Sequence, residues 1–177
     1  SSNNEVIIVH NGIVENFQDI KKDLVSKGYS FESETDSEVI AHLIADLKKQ
    51  DLSLKEVMLT AFQRLHGMNA VIAFFPGEEA FYVIKNGSPV VFSQKDKEFF
   101  IASDASAIVK HTKDVHFLND NELLEIRNER YQFYNLKGKP IKAEFIKLQY
   151  DATDVTMGSY AHFMLKEIHE QPLIIDQ

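Results

Sequence analysis

Ala70-Val71-Ile72-Ala73-Phe74-Phe75-Pro76-Gly77, followed by Phe81-Tyr82-Val83-Ile84-Lys85-Asn86-Gly87, decides the fold: two short apolar runs rich in β-branched and aromatic residues, each closed by a turn pair. The pattern continues through Val90 to Phe92 and Phe99 to Ala102, with Lys95-Asp96 between them. Further runs at Val115 to Leu118, Leu123 to Ile126 and Tyr131 to Tyr134 end at Gly138. Runs this short and closely spaced predict a mostly antiparallel sheet half. Strands so apolar need cover on both faces, which predicts two stacked sheets with helices outside them, a layered α+β fold.

Upstream, the hydrophobic period changes. Glu5 to Val9 reads as a short buried strand that stops at His10-Asn11-Gly12. Asn16 is a candidate N-cap for a helix carrying Phe17, Ile20 and Leu24, with Gly28 placed to end it. Thr35 and Glu38 have capping-box spacing ahead of Val39, Ile40, Leu43, Ile44 and Leu47. Ser53 and Glu56 repeat the box ahead of Leu54, Val57, Met58, Ala61, Phe62 and Leu65, and Gly67 closes that stripe. Downstream, residues 151–159 read as a loop, and a helix is expected from near Tyr160 to Gln171, stopped by Pro172. The organisation expected is one domain over residues 1–150 and a linker over 151–177.

Composition bounds the function. With 177 residues, 44% of them hydrophobic and thirteen of them Phe, the chain has material for one core. Nineteen basic against twenty-seven acidic side chains give a net charge of -8, which disfavours nucleic acid and anionic membrane as partners. No apolar run approaches the ~20 residues of a membrane span, so a cytoplasmic protein is expected. Cys is absent, which excludes a disulfide, a thiolate metal site and a cysteine nucleophile within these residues. The seven histidines show no metal spacing and are expected on the surface or in loops; Asn119-Asp120-Asn121-Glu122 reads as a turn. Ser88 and Ser103 lie outside any nucleophile elbow, and no phosphate loop or cofactor motif occurs.

Two places carry candidate chemistry. At Asn11-Gly12 a hairpin turn competes with an oxyanion hole, in which a side-chain amide and a glycine N–H point together at developing negative charge. Within Ser33-Glu34-Thr35-Asp36-Ser37-Glu38, Asp36 is either a helix-start acid or a carboxylate presented to a ligand ammonium.

Val9-His10-Asn11-Gly12-Ile13-Val14-Glu15-Asn16, Ser33 through Leu43, Asn86-Gly87-Ser88-Pro89 and Phe100-Ile101-Ala102-Ser103-Asp104 together resemble class II glutamine amidotransferase domains in order and spacing. The tail Lys166-Glu167-Ile168-His169-Glu170-Gln171-Pro172 resembles the hinge that leads into the sugar isomerase half of the glutamine:fructose-6-phosphate aminotransferases. The resemblance implies an N-terminal-nucleophile hydrolase fold, a four-layer αββα sandwich here lacking its N-terminal portion. It implies glutamine as substrate, an isomerase domain binding fructose 6-phosphate, a homo-oligomeric parent and no cofactor. Asn11 and Gly12 then match the oxyanion hole, Asp36 matches the acid that holds the glutamine α-ammonium, and His10 receives no chemistry. The family's N-terminal cysteine would precede Ser1, and Ser1 lies too close to the strand ending at His10 to replace it, so the 177 residues alone are expected to be inert. Amidophosphoribosyltransferase-like chemistry and a non-catalytic binding module on the same fold are the competing readings.

Overall fold

The computed structural model describes residues 5–149, 160–162, 164–166, 168, 169 and 171. A strand β1 (Ile7–Gly12) leads into three helices, α1 (Phe17–Ser26), α2 (Asp36–Lys48) and α3 (Leu54–Gln63). Then come β2 (Asn69–Phe75), β3 (Ala80–Asn86), β4 (Val91–Lys95), β5 (Glu98–Ala102), a 3-10 turn at Ala105–Ala107, β6 (Asp114–Phe117), β7 (Leu123–Arg127) and β8 (Arg130–Tyr134). Two short strands, β9 (Pro140–Ile141) and β10 (Ile146–Lys147), were not visible to periodicity because two residues carry no period. The expected loop at residues 151–159 lies outside the described residues, and residues 164–166, 168, 169 and 171 are helical as expected.

All ladder pairings are antiparallel, in two sheets ordered β1-β2-β3-β7-β8-β9 and β10-β6-β4-β5. Side chains alternate across the first sheet. Ala73, Phe75, Tyr82 and Ile84 face the helices and pack with Leu43, Ile44 and Met58. Val83, Leu124 and Phe133 face the second sheet and meet Phe92 and Leu118 there. On the far side of the second sheet, Val91 and Val115 are covered by Ala105, Ile108 and Val109, the described part of the fourth layer. The layers are therefore helices, sheet, sheet and a 3-10 cover, as the apolar runs required.

The capping signals divide. Ser53 and Glu56 form the full reciprocal box at α3, as their spacing predicts. Thr35 makes no side-chain cap at α2: its hydroxyl lies 2.9 Å from Ser33 Oγ, and the Glu38 carboxylate is drawn backward to the N–H groups of Glu32 and Ser33 at 2.8 and 2.7 Å. Strand β1 also departs from expectation: it is an edge strand among the described residues, and Ile7 and Val9 are 53% and 64% exposed. An edge position removes the neighbour that would have buried the run.

Two histidines expected at the surface are buried instead, His42 in α2 and His116 in β6. The His116 ring stands edge-on to Phe133 at 4.8 Å between the sheets. Its Nε2 lies 3.0 Å from the Glu122 carboxylate and its Nδ1 2.9 Å from the Glu144 carbonyl oxygen. Both partners are acceptors, so both ring nitrogens donate and the ring is an imidazolium. Burial pushes the His116 pKa down, but the two acceptors outweigh it and hold it above its ordinary value. Burial likewise pushes Glu122 up, and His116 with the Asn119 N–H brings it below the usual carboxylate range.

A raised histidine stabilises the fold below pH 6.5 and loses that effect as pH rises through its folded pKa, whereas a lowered carboxylate stabilises above pH 4.5 and loses it as pH falls. The pair therefore contributes most between these values. His116→Ala leaves Glu122 buried without its cation and is expected to cost ~3–5 kcal/mol of stability. Denaturant titrations at several pH values check this: the gap between parent and variant should be widest between about pH 5 and 6 and narrow on either side.

Candidate functional site

Asn11 and Gly12 are the last two residues of β1, opposite Ala70 and Asn69 of β2. They do not turn a hairpin, because the chain runs on through Ile13 to Asn16 into α1. Gly12 has φ +132°, and a Cβ there would lie 2.0 Å from the Met68 carbonyl oxygen. Only glycine tolerates that approach. Successive N–H groups of an antiparallel strand alternate sides. Ile13 N–H donates to Met68 O at 3.1 Å, so the Gly12 N–H is directed to the free edge of the sheet. The Asn11 side chain is exposed, and its amide has no partner among the described residues.

Past the strand, the backbone is stitched down. Glu15 N–H donates to His66 O at 3.1 Å. The Asn16 side chain, expected as a helix cap, instead bridges Arg64 O at 2.9 Å and His66 N–H at 3.0 Å. Val14 N–H donates to the Asp36 carboxylate at 2.8 Å. Asp36 opens α2, where the aligned peptide dipoles favour its negative charge. One carboxylate oxygen is thereby committed to Val14, and the other has no partner among the described residues.

Asn11 opens onto a cleft of about 360 Å³ between the sheets, lined also by Val9, Ala70, Pro89, Ile101 and Ser103. Residues 9–11, 89 and 101–103, far apart in sequence, thus converge on one cavity. Asp36 is not among its lining residues. It is linked to the end of β1 through Val14 and through the neighbouring Ser37, whose hydroxyl lies 2.9 Å from His10 Nδ1. Asp104 does not face the cleft chemistry; it caps the 3-10 turn by accepting from Ser106 N–H at 2.7 Å. Ser88 is buried. Among the described residues no cluster of side chains is suited to hold a metal ion.

A profile described as the glutamine amidotransferase domain matches residues 1–110. The chain belongs to that family. Full-length relatives agree: a glutamine–fructose-6-phosphate aminotransferase (isomerising) of Clostridium tetani is 39% identical over 177 residues, covering 98% of the chain and 29% of the relative. The enzymes of the same name from Bartonella henselae and Aquifex aeolicus are 37% and 38% identical over 95% and 97% of the chain. The chain spans less than a third of the length of these relatives, 28% and 29% of the last two. Among solved structures, glutamine phosphoribosylpyrophosphate amidotransferase of B. subtilis superposes with a TM-score of 0.63 at 22% identity, over 79% of the chain and 31% of the enzyme. A glutamine aminotransferase class-II domain protein from Silicibacter pomeroyi gives 0.54 at 17%, over 74% of the chain and 67% of that protein. At these identities the likeness establishes fold, that of the N-terminal-nucleophile class II amidotransferases.

Within this amidotransferase domain, Glu38 was read from sequence only as half of a capping box. It does more. Its carboxylate accepts from Glu32 N–H, Ser33 N–H, the Ser33 hydroxyl at 2.6 Å and His42 Nε2 at 3.3 Å, closing the loop that delivers Asp36. Burial alone would push Glu38 up; the Ser33 hydroxyl and these N–H donors reverse that and hold it at about 2. The four-residue spacing of Glu38 and His42 was the available signal, since it places both on one helix face.

A depressed carboxylate stabilises the fold above its unfolded value of 4.5, and the effect is lost as pH falls toward 2. Glu38→Gln should remove on the order of 2–3 kcal/mol at neutral pH. Thermal melts of both proteins from pH 7 to pH 2 check this, the expected result being a difference that vanishes toward the acid end.

Proposed function

We propose that this domain is the glutamine-hydrolysing part of an aminotransferase that makes glucosamine 6-phosphate from glutamine and fructose 6-phosphate. The observation that carries the reading is the convergence of Asn11 with residues 89 and 101–103 on one cleft, beside a helix whose first residue is Asp36. Identities of 37–39% across nearly the whole chain favour this acceptor over phosphoribosyl pyrophosphate.

In this reading a thiolate adds to the side-chain carbonyl carbon of glutamine, and the carbonyl oxygen becomes an oxyanion. The Asn11 amide and the outward Gly12 N–H donate to that oxygen as its charge develops, the point at which preorganised donors lower a barrier most. Collapse of the adduct expels ammonia for the acceptor, and water then releases glutamate from the thioester. The free oxygen of Asp36 receives the glutamine α-ammonium, leaving the other on Val14. The 177 residues contain no cysteine. We assign the nucleophile to an N-terminal cysteine outside these residues, with its own α-amine, which titrates near neutrality, as the base. The fructose 6-phosphate site belongs in this proposal to an isomerase domain joined beyond the segment ending at Pro172.

The test is made in the full-length enzyme by following glutamate release and amino-sugar formation. Asn11→Ala should lower turnover about 10²- to 10³-fold with a small change in KM for glutamine. Asp36→Asn should act the other way, raising KM by roughly tenfold or more through a lost charged contact. Unchanged turnover in Asn11→Ala removes the oxyanion assignment, and amination of phosphoribosyl pyrophosphate in place of fructose 6-phosphate removes the acceptor.

A further inference from the structure

His10 stands between the Asn11-Gly12 pair and Asp36, the residues to which the proposed function gives chemistry. It precedes Asn11 in β1, lines the same cleft, and its ring reaches Ser37 of α2. Its Nε2 lies 2.9 Å from Asn69 Oδ1, and its Nδ1 lies 2.9 Å from Ser37 Oγ. Asn69 is buried, and its amide nitrogen donates to His66 O at 3.2 Å, which orients Oδ1 toward His10 as an acceptor. Nε2 therefore carries the proton. Nδ1 shares the second bond with the Ser37 hydroxyl, a group able to match it. One imidazole thus links β2, β1 and the first turn of α2, with both ring nitrogens hydrogen-bonded.

The link matters because of what flanks it. Ser37 follows Asp36, and His10 precedes Asn11, so the His10–Ser37 bond ties together the backbones that bear the proposed ammonium-binding carboxylate and oxyanion donor. The Val14–Asp36 bond is a second tie between the same two segments. Glutamine has a bounded reach between its α-ammonium and its side-chain carbonyl, so both ends can be held at once only over a narrow range of spacings. A displacement of about 1 Å between the groups that receive those ends is enough to lower a rate ~10²-fold.

We propose that His10 is a positioning residue that sets the spacing between Asp36 and the Asn11-Gly12 donors, and that it does so through Ser37. This rests on the glutaminase reading above. His10 touches no reacting atom; it acts as a hydrogen-bonded spacer between two segments that must stay in register.

The experiment measures glutamine hydrolysis by the full-length enzyme, normalised to active sites titrated with an electrophilic glutamine analogue. His10→Ala and Ser37→Ala should each lower kcat about 10-fold or more, with KM changed less. The double variant should be no worse than the poorer single one, since both remove the same tie. Ser37→Ala keeps the test informative if His10→Ala folds poorly. An asparagine at position 10 places its amide oxygen where Nδ1 stood, whereas glutamine reaches toward Asn69. His10→Asn should therefore recover most of the kcat and His10→Gln should not. A purely structural histidine would give losses that follow the melting temperature, with equal rescue by both. That result overturns the proposal, as does turnover within about twofold of the parent in both alanine variants while Asn11→Ala remains strongly impaired. Unimpaired Asn11→Ala instead overturns the glutaminase reading on which the proposal rests.

Discussion

The bond from Val14 N–H to the Asp36 carboxylate is the joint on which the arrangement of this domain turns. It is a contact between a backbone donor and a carboxylate, made at a helix N-terminus. It joins the segment after β1 to α2 across 22 positions of sequence. Without it the chain from Ile13 to Asn16 would keep the burial of Val14 and its hydrogen bonds to residues 64–68 but lose its hydrogen bond to α2. With it, the end of an exposed edge strand is fixed between two partners. That is the rigidity a binding constellation at a strand end needs.

The layered core supplies the fixed frame. Buried residues of α2 pack on the first sheet, so the helix start is referenced to the strands rather than to a loop. The loop before it is closed by Glu38, whose carboxylate collects donors from Glu32, Ser33 and His42. The position of Asp36 is therefore determined at both ends, by packing along the helix and by hydrogen bonds at its start.

Most of this frame was legible in the sequence because it rests on periodicity. The stripe Val39 to Leu47 is buried as read, and in the second stripe Val57, Met58, Ala61 and Phe62 are buried while Leu54 and Leu65 are partly buried. Each β-rich run from Ala70 to Tyr134 overlaps an observed strand. What escaped was long-range. Thr35–Glu38 and Ser53–Glu56 share one spacing, yet only the second forms a box, since the donors that capture Glu38 come from a loop whose path spacing cannot specify. A single buried histidine such as His116 leaves no pattern, because its partners Glu122 and Glu144 are brought by the sheets. The convergence of residues 9–11, 89 and 101–103 was available only as a resemblance. No local rule relates residues so far apart, and the depth of β1 was misjudged for the same reason.

The two halves of the Asn11-Gly12 pair carry different weight. Gly12 is required by packing whatever the protein does, since any side chain would strike the Met68 carbonyl, so its presence says little about catalysis. Asn11 has no such excuse. Asparagine is disfavoured in strands, and this one, at the end of β1, gains no hydrogen bond among the described residues to offset the penalty. A residue that contradicts local preference without a structural return belongs with functional positions more often than with structural ones. The amide of Asn11, exposed and opening on the cleft, is therefore the stronger argument for chemistry here, and the glycine beside it is what allows the strand to deliver it.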